Sequence, residues 1–219
     1  MNKGVGVFDW RDLPSHPELS AIVARLAAGD EVNDRDFDRL LPKSVQKLSR
    51  LHWSPVSVAR RAAELLAQVP GARILDVGSG AGKFCLIGAL TTSGHFTGIE
   101  EHAPLVRLAK ELSRRYGIAH AQFHTGDATA VDWAGYDGIY LYNPFAEEIH
   151  LTRHGLLSMG SQPDRYSRLI GGAQAQFDRL KSGARVALFY GFGGQRPAGF
   201  EVLLSEPQRA GTLEFWVKR

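Results

Sequence analysis

The chain has 219 residues, 44% of them hydrophobic and 22% charged, an ordinary globular make-up with enough length to bury a core without covalent staples. Its formal charge of +3 is spread with acids between the basic residues, so it neither demands nor forbids an acidic partner. The single cysteine, Cys85, excludes an intrachain disulfide and a cysteine-based metal cage.

No apolar run reaches the roughly 18 residues of a membrane span. The first residues, MNKGVGVFDWRDLP, meet acids and proline before any apolar stretch forms, so no signal peptide is expected. The lone thiol, in the apolar run FCLIGAL, is expected to be a buried packing group in a cytoplasmic protein.

Residues 1–52 read as a helical extension. Pro17 to Ala28 carries apolar residues at helical spacing, and Gly29 is placed to end it. Asn33 is placed to cap a second helix containing Phe37, Leu40 and Leu41, which Pro42 interrupts. Val45, Leu48 and Leu51 continue the pattern. Ser54-Pro55 then opens another helix, with Ser as cap and Pro at the first position, ending by Pro70-Gly71.

From there the texture alternates. ARILDVG is a short buried strand, and a helix begins at Gly80 or Ala81. HFTGIE, AQFHTG and the middle of YDGIYLYNPF are strands, with a helix over 103–117 between the first two. Gln162 to Leu180 is an amphipathic helix and ARVALFYGF a fifth strand. EVLLSE and LEFWVK, joined by PQRAGT, have no room for a helix between them and are expected to pair antiparallel. The fold class is therefore α/β: a doubly wound, mostly parallel seven-stranded sheet with an antiparallel C-terminal pair and an N-terminal helical extension. The domain proper is placed at 53–219.

The most informative residues are Asp76-Val77-Gly78-Ser79-Gly80-Ala81-Gly82, where the first strand turns into a helix. Ligands of open parallel sheets sit beyond the carboxyl ends of strands. Glycine lets the backbone approach a ligand, and the helix N-terminus offers free N–H groups to an anion. The spacing is G-x-G-x-G, with Lys83 where a dinucleotide fingerprint has its third glycine, and the loop has no G-K-[ST] ending. An acid two residues before the first glycine suits an ammonium group better than a pyrophosphate. The loop expects a zwitterion.

ILDVGSGAGKFCL resembles the first motif of the class I (Rossmann-like) S-adenosylmethionine-dependent methyltransferases, and the likeness runs over roughly residues 53–219. It implies S-adenosylmethionine as cofactor, held by Asp76, Gly78, Ser79, Gly80 and Gly82. Glu100 stands 22 positions after Gly78 and ends the second strand, where an acid can accept from both ribose hydroxyls. Glu101 and His102 follow and could line the adenine, although His102 also reads as the start of a helix. Asp127 and Ala128 end the third strand, where the family places an acid and a backbone N–H against the adenine. An N-cap or Asx-turn role for Asp127 is the alternative.

Asn143-Pro144-Phe145 ends the fourth strand, facing the methyl group in the family. It partly matches the Asn-Pro-Pro-aromatic motif of enzymes that methylate amide or nucleobase nitrogen, with one proline instead of two. A plain turn capping AEEIH is the alternative. WSPVSVARRAAELLA resembles the segment before the first motif in non-SET histone-lysine and protein-carboxyl methyltransferases, which implies Trp53 and Ser54 over the pocket mouth; an ordinary capped helix with Trp53 packed below it is the alternative. Trp53 and Tyr142 are the expected substrate-binding residues. Residues 146–163 read as a cover over the site.

The acceptor is unspecified, with a nitrogen or oxygen of a protein or small molecule favoured. His52, His124 and His150 are weak candidates for a base, and no spacing signals a metal. The competing readings are an NAD-type oxidoreductase, which the absent third glycine disfavours, and an inactive protein that keeps the fold as a scaffold. A nucleic-acid partner has only RLHWSPVSVARR in its favour. No membrane partner is expected.

Overall fold

The computed structural model describes residues 13, 17–145, 163–209 and 211–219. Four helices come first: α1 (Pro17–Ala27), α2 (Asp34–Asp38), α3 (Lys43–His52) and α4 (Val56–Leu66). Then follow β1 (Arg73–Val77), α5 (Lys83–Thr91), β2 (His95–Glu100), α6 (Ala103–Arg115), β3 (Ala121–Thr125) and β4 (Gly138–Tyr142). After α7 (Pro163–Arg179) come β5 (Arg185–Phe189) and the hairpin of β6 (Phe200–Gln208) and β7 (Gly211–Lys218).

The seven strands lie in the order β3-β2-β1-β4-β5-β7-β6. β1 to β5 are parallel, and β7 runs antiparallel to both neighbours. β1 is flanked by β2 on one side and β4 on the other, which opens a crevice beyond their carboxyl ends.

Strand side chains alternate between two buried layers. Ile74, Tyr140, Ala187 and Phe189 face α4, α5 and α6. Leu75, Val77, Ile139, Leu141, Val186 and Leu188 face α7 and Trp133. Phe177 of α7 anchors the second layer, with Trp133, Phe192 and Phe200 packed edge-on around it.

The N-terminal helices share the first layer's core. Leu19, Ile22, Leu26, Phe37 and Val45 belong to the same buried cluster as Phe84 and Ile87 of α5. This explains why α5 is apolar on every side: it lies between the sheet and the N-terminal helices. A buried polar link joins them. Lys83 Nζ is 2.6 Å from Asp34 Oδ1 and 3.3 Å from Ser49 Oγ. Ser49 Oγ in turn donates to the buried Asp38 at 2.5 Å.

Several end signals act as expected. Gly29 takes φ 83° and closes α1, with Gly29 N–H on Leu26 O and Asp30 N–H on Arg25 O. Asn33 caps α2 by accepting from Asp36 N at 2.9 Å. Two expectations are corrected. Pro55, not Ser54, occupies the cap position of α4, because the Ser54 hydroxyl is taken by Tyr140 Oη at 2.6 Å. α5 starts at Lys83 rather than at Gly80 or Ala81, because Gly78, Gly80 and Gly82 all hold positive φ, which a right-handed helix cannot contain. The hairpin strands are also longer than the sequence pattern implied and run through PQ and GT of the connecting segment.

Gly88 lies inside α5 with Phe96 of β2 packed against it. A Cβ at Gly88 would stand 2.4 Å from the Phe96 ring. Helix propensity alone favours alanine here by about 1 kcal/mol. Overpacking reverses the sign, so Gly88→Ala should lower stability by about 1–3 kcal/mol. Urea unfolding of the two proteins checks it, and a stabilised variant would show that the ring is free to move.

Candidate functional site

One cavity occupies the crevice at the carboxyl ends of the parallel strands. Gly78 and Gly80 contribute from the loop after β1, Glu100, Glu101 and His102 from the end of β2, and Gly126, Asp127 and Ala128 from the end of β3. Tyr142, Asn143, Pro144 and Phe145 come from the end of β4, Leu51, His52 and Trp53 from the end of α3, and Arg165 and Leu169 from α7. Gly126 has open space where a side chain would stand.

The glycine turn is closed in on two sides. A Cβ at Gly78 would lie 3.3 Å from Pro144, and one at Gly80 would lie 2.5 Å from Trp53 Nε1. With φ of 76° and 55° at these positions, both space and backbone demand glycine. Gly82 serves another purpose. Its absent side chain leaves room for Phe123 and Ala109, so it packs the core and does not line the cavity.

Glu100 ties the site together. Its Oε2 accepts from Gly80 N at 3.0 Å, and its Oε1 accepts from His102 N at 2.8 Å and faces His102 Nδ1 at 2.8 Å. Burial pushes this carboxyl up, but the hydrogen bonds and charge of His102 and the Gly80 N–H outweigh it and hold it below the usual range. His102 is both the cap of α6 and a cavity residue. Glu101 is paired with Arg165. Asp127 Oδ1 accepts from Thr129 N at 2.8 Å and from Thr129 Oγ1 at 2.7 Å. The Asx-turn geometry and a place on the cavity wall thus coexist in one residue.

Asp76 and Ser79 lie beneath the turn, 4% and 7% exposed. Asp76 Oδ2 accepts from Cys85 Sγ at 3.4 Å. Burial pushes the Asp76 carboxyl up to about 7, the Cys85 hydrogen bond opposes this, and the nearby Glu100 charge adds to the rise. Ser79 Oγ is the one buried side-chain polar atom among the described residues without a hydrogen-bond partner.

Of the histidines, His52 reaches the cavity rim, whereas His124 does not line it. His150 and all of the expected cover over 146–163 except its last residue lie outside the described residues, as does the AEEIH segment that Asn143 would cap. Among the described residues no cluster suited to a metal ion occurs, and no helix is long and apolar enough to cross a membrane. Arg165 and Leu169 were not legible in the sequence, because nothing in the spacing of α7 says which of its turns faces β2. Leu51 follows from the same α3 end as Trp53 and was a missed neighbour.

Residues 68–146 match the family model of a methyltransferase domain. A search of curated proteins finds no match. Among solved structures, the chain is similar to an RNA methyltransferase from Salinibacter ruber in complex with S-adenosyl-L-homocysteine. That match has 22% identity and a TM-score of 0.54, and covers 75% of this chain and 92% of the other. It is similar to TrmN from Thermus thermophilus at 22% identity and TM-score 0.55, over 76% of this chain but only 49% of TrmN. The 16S rRNA methylase RmtB matches at 18% identity and TM-score 0.53, over 93% of this chain and 76% of the methylase. The family model thus places a methyltransferase domain over residues 68–146, and the solved structures share its fold.

The residues at this turn fit the chemistry of S-adenosylmethionine. S-adenosylmethionine bears an ammonium and a carboxylate at one end. The turn that would meet that end has a buried carboxyl with no ion pair and a hydroxyl with no partner among the described residues. Gly78 and Gly80 line the cavity and, having no side chain, present backbone to it.

The raised Asp76 carboxyl makes the stability of the protein depend on pH. Its folded value lies above the ordinary 3.8, so the folded state keeps a proton that the unfolded chain releases. Stability should therefore fall as pH rises from about 4 to about 7, then level off. Asp76→Asn keeps an acceptor for Cys85 and stays neutral. It should be more stable than the parent at pH 8 and similar to it near pH 4, as read by urea midpoints. Equal midpoints at both pH values would show that Asp76 does not carry this shift.

Proposed function

We propose that the protein transfers a methyl group from S-adenosylmethionine to a nitrogen or oxygen of an acceptor that enters at the end of β4. The observation that carries this reading is the convergence on one cavity of the turn after β1, the acids after β2 and β3, and Asn143-Pro144-Phe145 after β4.

When bound, the cofactor supplies a sulfonium-activated methyl: the acceptor lone pair forms the new bond to carbon while the C–S bond breaks and its electron pair stays on sulfur. The chain's own part is to bind, orient and exclude water. In this reading Asp76 answers the ammonium, and Gly78, Ser79 and Gly80 offer backbone and hydroxyl to the amino-acid end. Gly82 acts from behind, by letting α5 start where it does.

Glu101 lines the adenine, and Glu100 holds the ribose. Glu100 can do so while keeping Gly80, because each carboxylate oxygen has two lone pairs and Oε2 has one protein donor. Asp127 and Ala128 border the adenine. Asn143, in positive φ of 39°, offers a carbonyl and an amide group beside the transferred methyl. Pro144 and Phe145 shape that wall, and Trp53 and Tyr142 touch the acceptor. A nitrogen acceptor must present its lone pair unprotonated, and its displaced proton leaves to water.

Calorimetric titration with S-adenosylhomocysteine tests the reading, with NAD as control. Micromolar binding is expected for the first and none for the second. Glu100→Ala should weaken binding at least tenfold, since it removes a charged acceptor and unties Gly80. Absence of binding by folded protein would overturn the proposal and bring the scaffold reading forward.

A further inference from the structure

Two residues other than glycine hold positive φ among the described residues, and they are neighbours. Asn143 at 39° follows β4, and Tyr190 at 64° follows β5. Asn143 N–H donates to Gly191 O at 3.1 Å, which fastens the two bends together. Asparagine tolerates this backbone, but a bulky aromatic residue rarely adopts it. The fold supports the outlier from below. A Cβ at Gly211, in the β6–β7 hairpin, would stand 2.8 Å from the Tyr190 ring. Strained positions of this kind gather where a site needs a side chain in one place.

The strain does not bury the ring. Tyr190 is 51% exposed. It lies 5.9 Å from the Tyr142 ring at 55° and 4.7 Å from the Phe189 ring at 56°. Tyr142 stacks on Phe189 at 5.5 Å and 16°. Phe189 is thus the buried base, Tyr142 the cavity wall, and Tyr190 the outer leaf of one aromatic surface that begins at the cavity.

We propose that Tyr190, with Tyr142, is a specificity-determining residue whose aromatic surface takes a planar heteroaromatic ring of the acceptor. This rests on the reading that the acceptor enters at the end of β4. Tilted rings at this spacing give a flat guest both stacking and edge contact. An aliphatic ammonium is the poorer guest, because it has no flat face to lay on the rings, and the cavity's carboxylates stand apart from them at the ends of β2 and β3, each with protein partners. Glu100 serves Gly80 and His102, Glu101 is paired with Arg165, and Asp127 holds Thr129.

The ring has two sources, a free heteroaromatic molecule or a base within a polynucleotide. The exposed Lys43 and Lys47 bear on the choice. They stand on α3, which has no acid and runs to the rim at Leu51 and His52. Phosphates along α3 would add affinity that falls with salt.

The test uses the full chain saturated with S-adenosylhomocysteine. Adenosine, cytidine and N-acetyl-lysine amide are titrated by NMR shift perturbation, and a ten-residue oligoadenylate RNA by fluorescence anisotropy. The nucleosides should bind and the lysine probe should not. Tyr190→Gly relieves the backbone strain, so it should fold at least as well and bind S-adenosylhomocysteine equally, yet lose about 5- to 150-fold of nucleoside affinity, the range of one stacking partner. Tyr190→Phe should keep the affinity.

Oligomer binding that is tighter than nucleoside binding, salt-dependent and weakened by Lys43→Ala with Lys47→Ala supports the proposal with a polynucleotide as source. Equal binding of both supports it with a free molecule as source. No nucleoside binding to protein that does bind S-adenosylhomocysteine, or affinity unchanged in Tyr190→Gly, overturns it. Loss of S-adenosylhomocysteine binding in the parent would instead be the failure of the cofactor reading.

Discussion

The site hangs on the hydrogen bond from Gly80 N–H to Glu100 Oε2 at 3.0 Å. It spans β1 and β2 at their carboxyl ends and fixes the height of the glycine turn above the sheet. The other oxygen of the same carboxylate holds His102 at the start of α6. A single buried anion thus sets the turn, the strand end and the next helix. It stays ionised because its donors outweigh its burial, whereas Asp76, buried nearby with one thiol donor, is pushed the other way. Two carboxyls close to one turn are shifted in opposite directions, and Asp76, with no ion pair among the described residues, is where a bound ammonium has most to offer.

The N-terminal helices belong to this design through packing and through Lys83. The lysine directly follows the glycine turn, and its ammonium is buried against Asp34 and Ser49. Asp34 Oδ1 also accepts from Val56 N at the start of α4. One ion pair therefore fastens α2 and α4 to the start of α5, and Trp53, between α3 and α4, is set against Gly80. The roof of the cavity and its floor share this anchor.

On the acceptor side the fold accepts backbone strain in order to place groups. Asn143 and Tyr190 leave adjacent parallel strands in left-handed conformations, joined by one backbone hydrogen bond. Gly211 on the antiparallel hairpin makes room for the Tyr190 ring. The hairpin that closes the sheet therefore also shapes the aromatic surface beside the cavity.

The sequence by itself determined the strand–helix alternation, the antiparallel final pair and the glycine turn with its leading acid. These depend on neighbours in the chain: apolar period, turn residues, and positions that only glycine can fill. It also pointed to Glu100 at a strand end, and its resemblance to a known family implied Asp127 and Asn143-Pro144-Phe145. Only the tertiary structure decided which groups share a partner across distant segments. Ser54 was readable as a cap, but Tyr140, 86 positions away, claims its hydroxyl. Lys83 was readable only as a missing glycine, and Asp34 makes it the anchor of the N-terminal helices. Gly82 looked like a third ligand contact, and Phe123 makes it a packing position. Arg165 and Tyr190 gave no local signal, since their meaning lies in Glu101 and Tyr142, brought beside them by the fold. Local pattern fixes backbone conformation, while the pairing of side chains across elements depends on distances that exist only once the sheet is assembled.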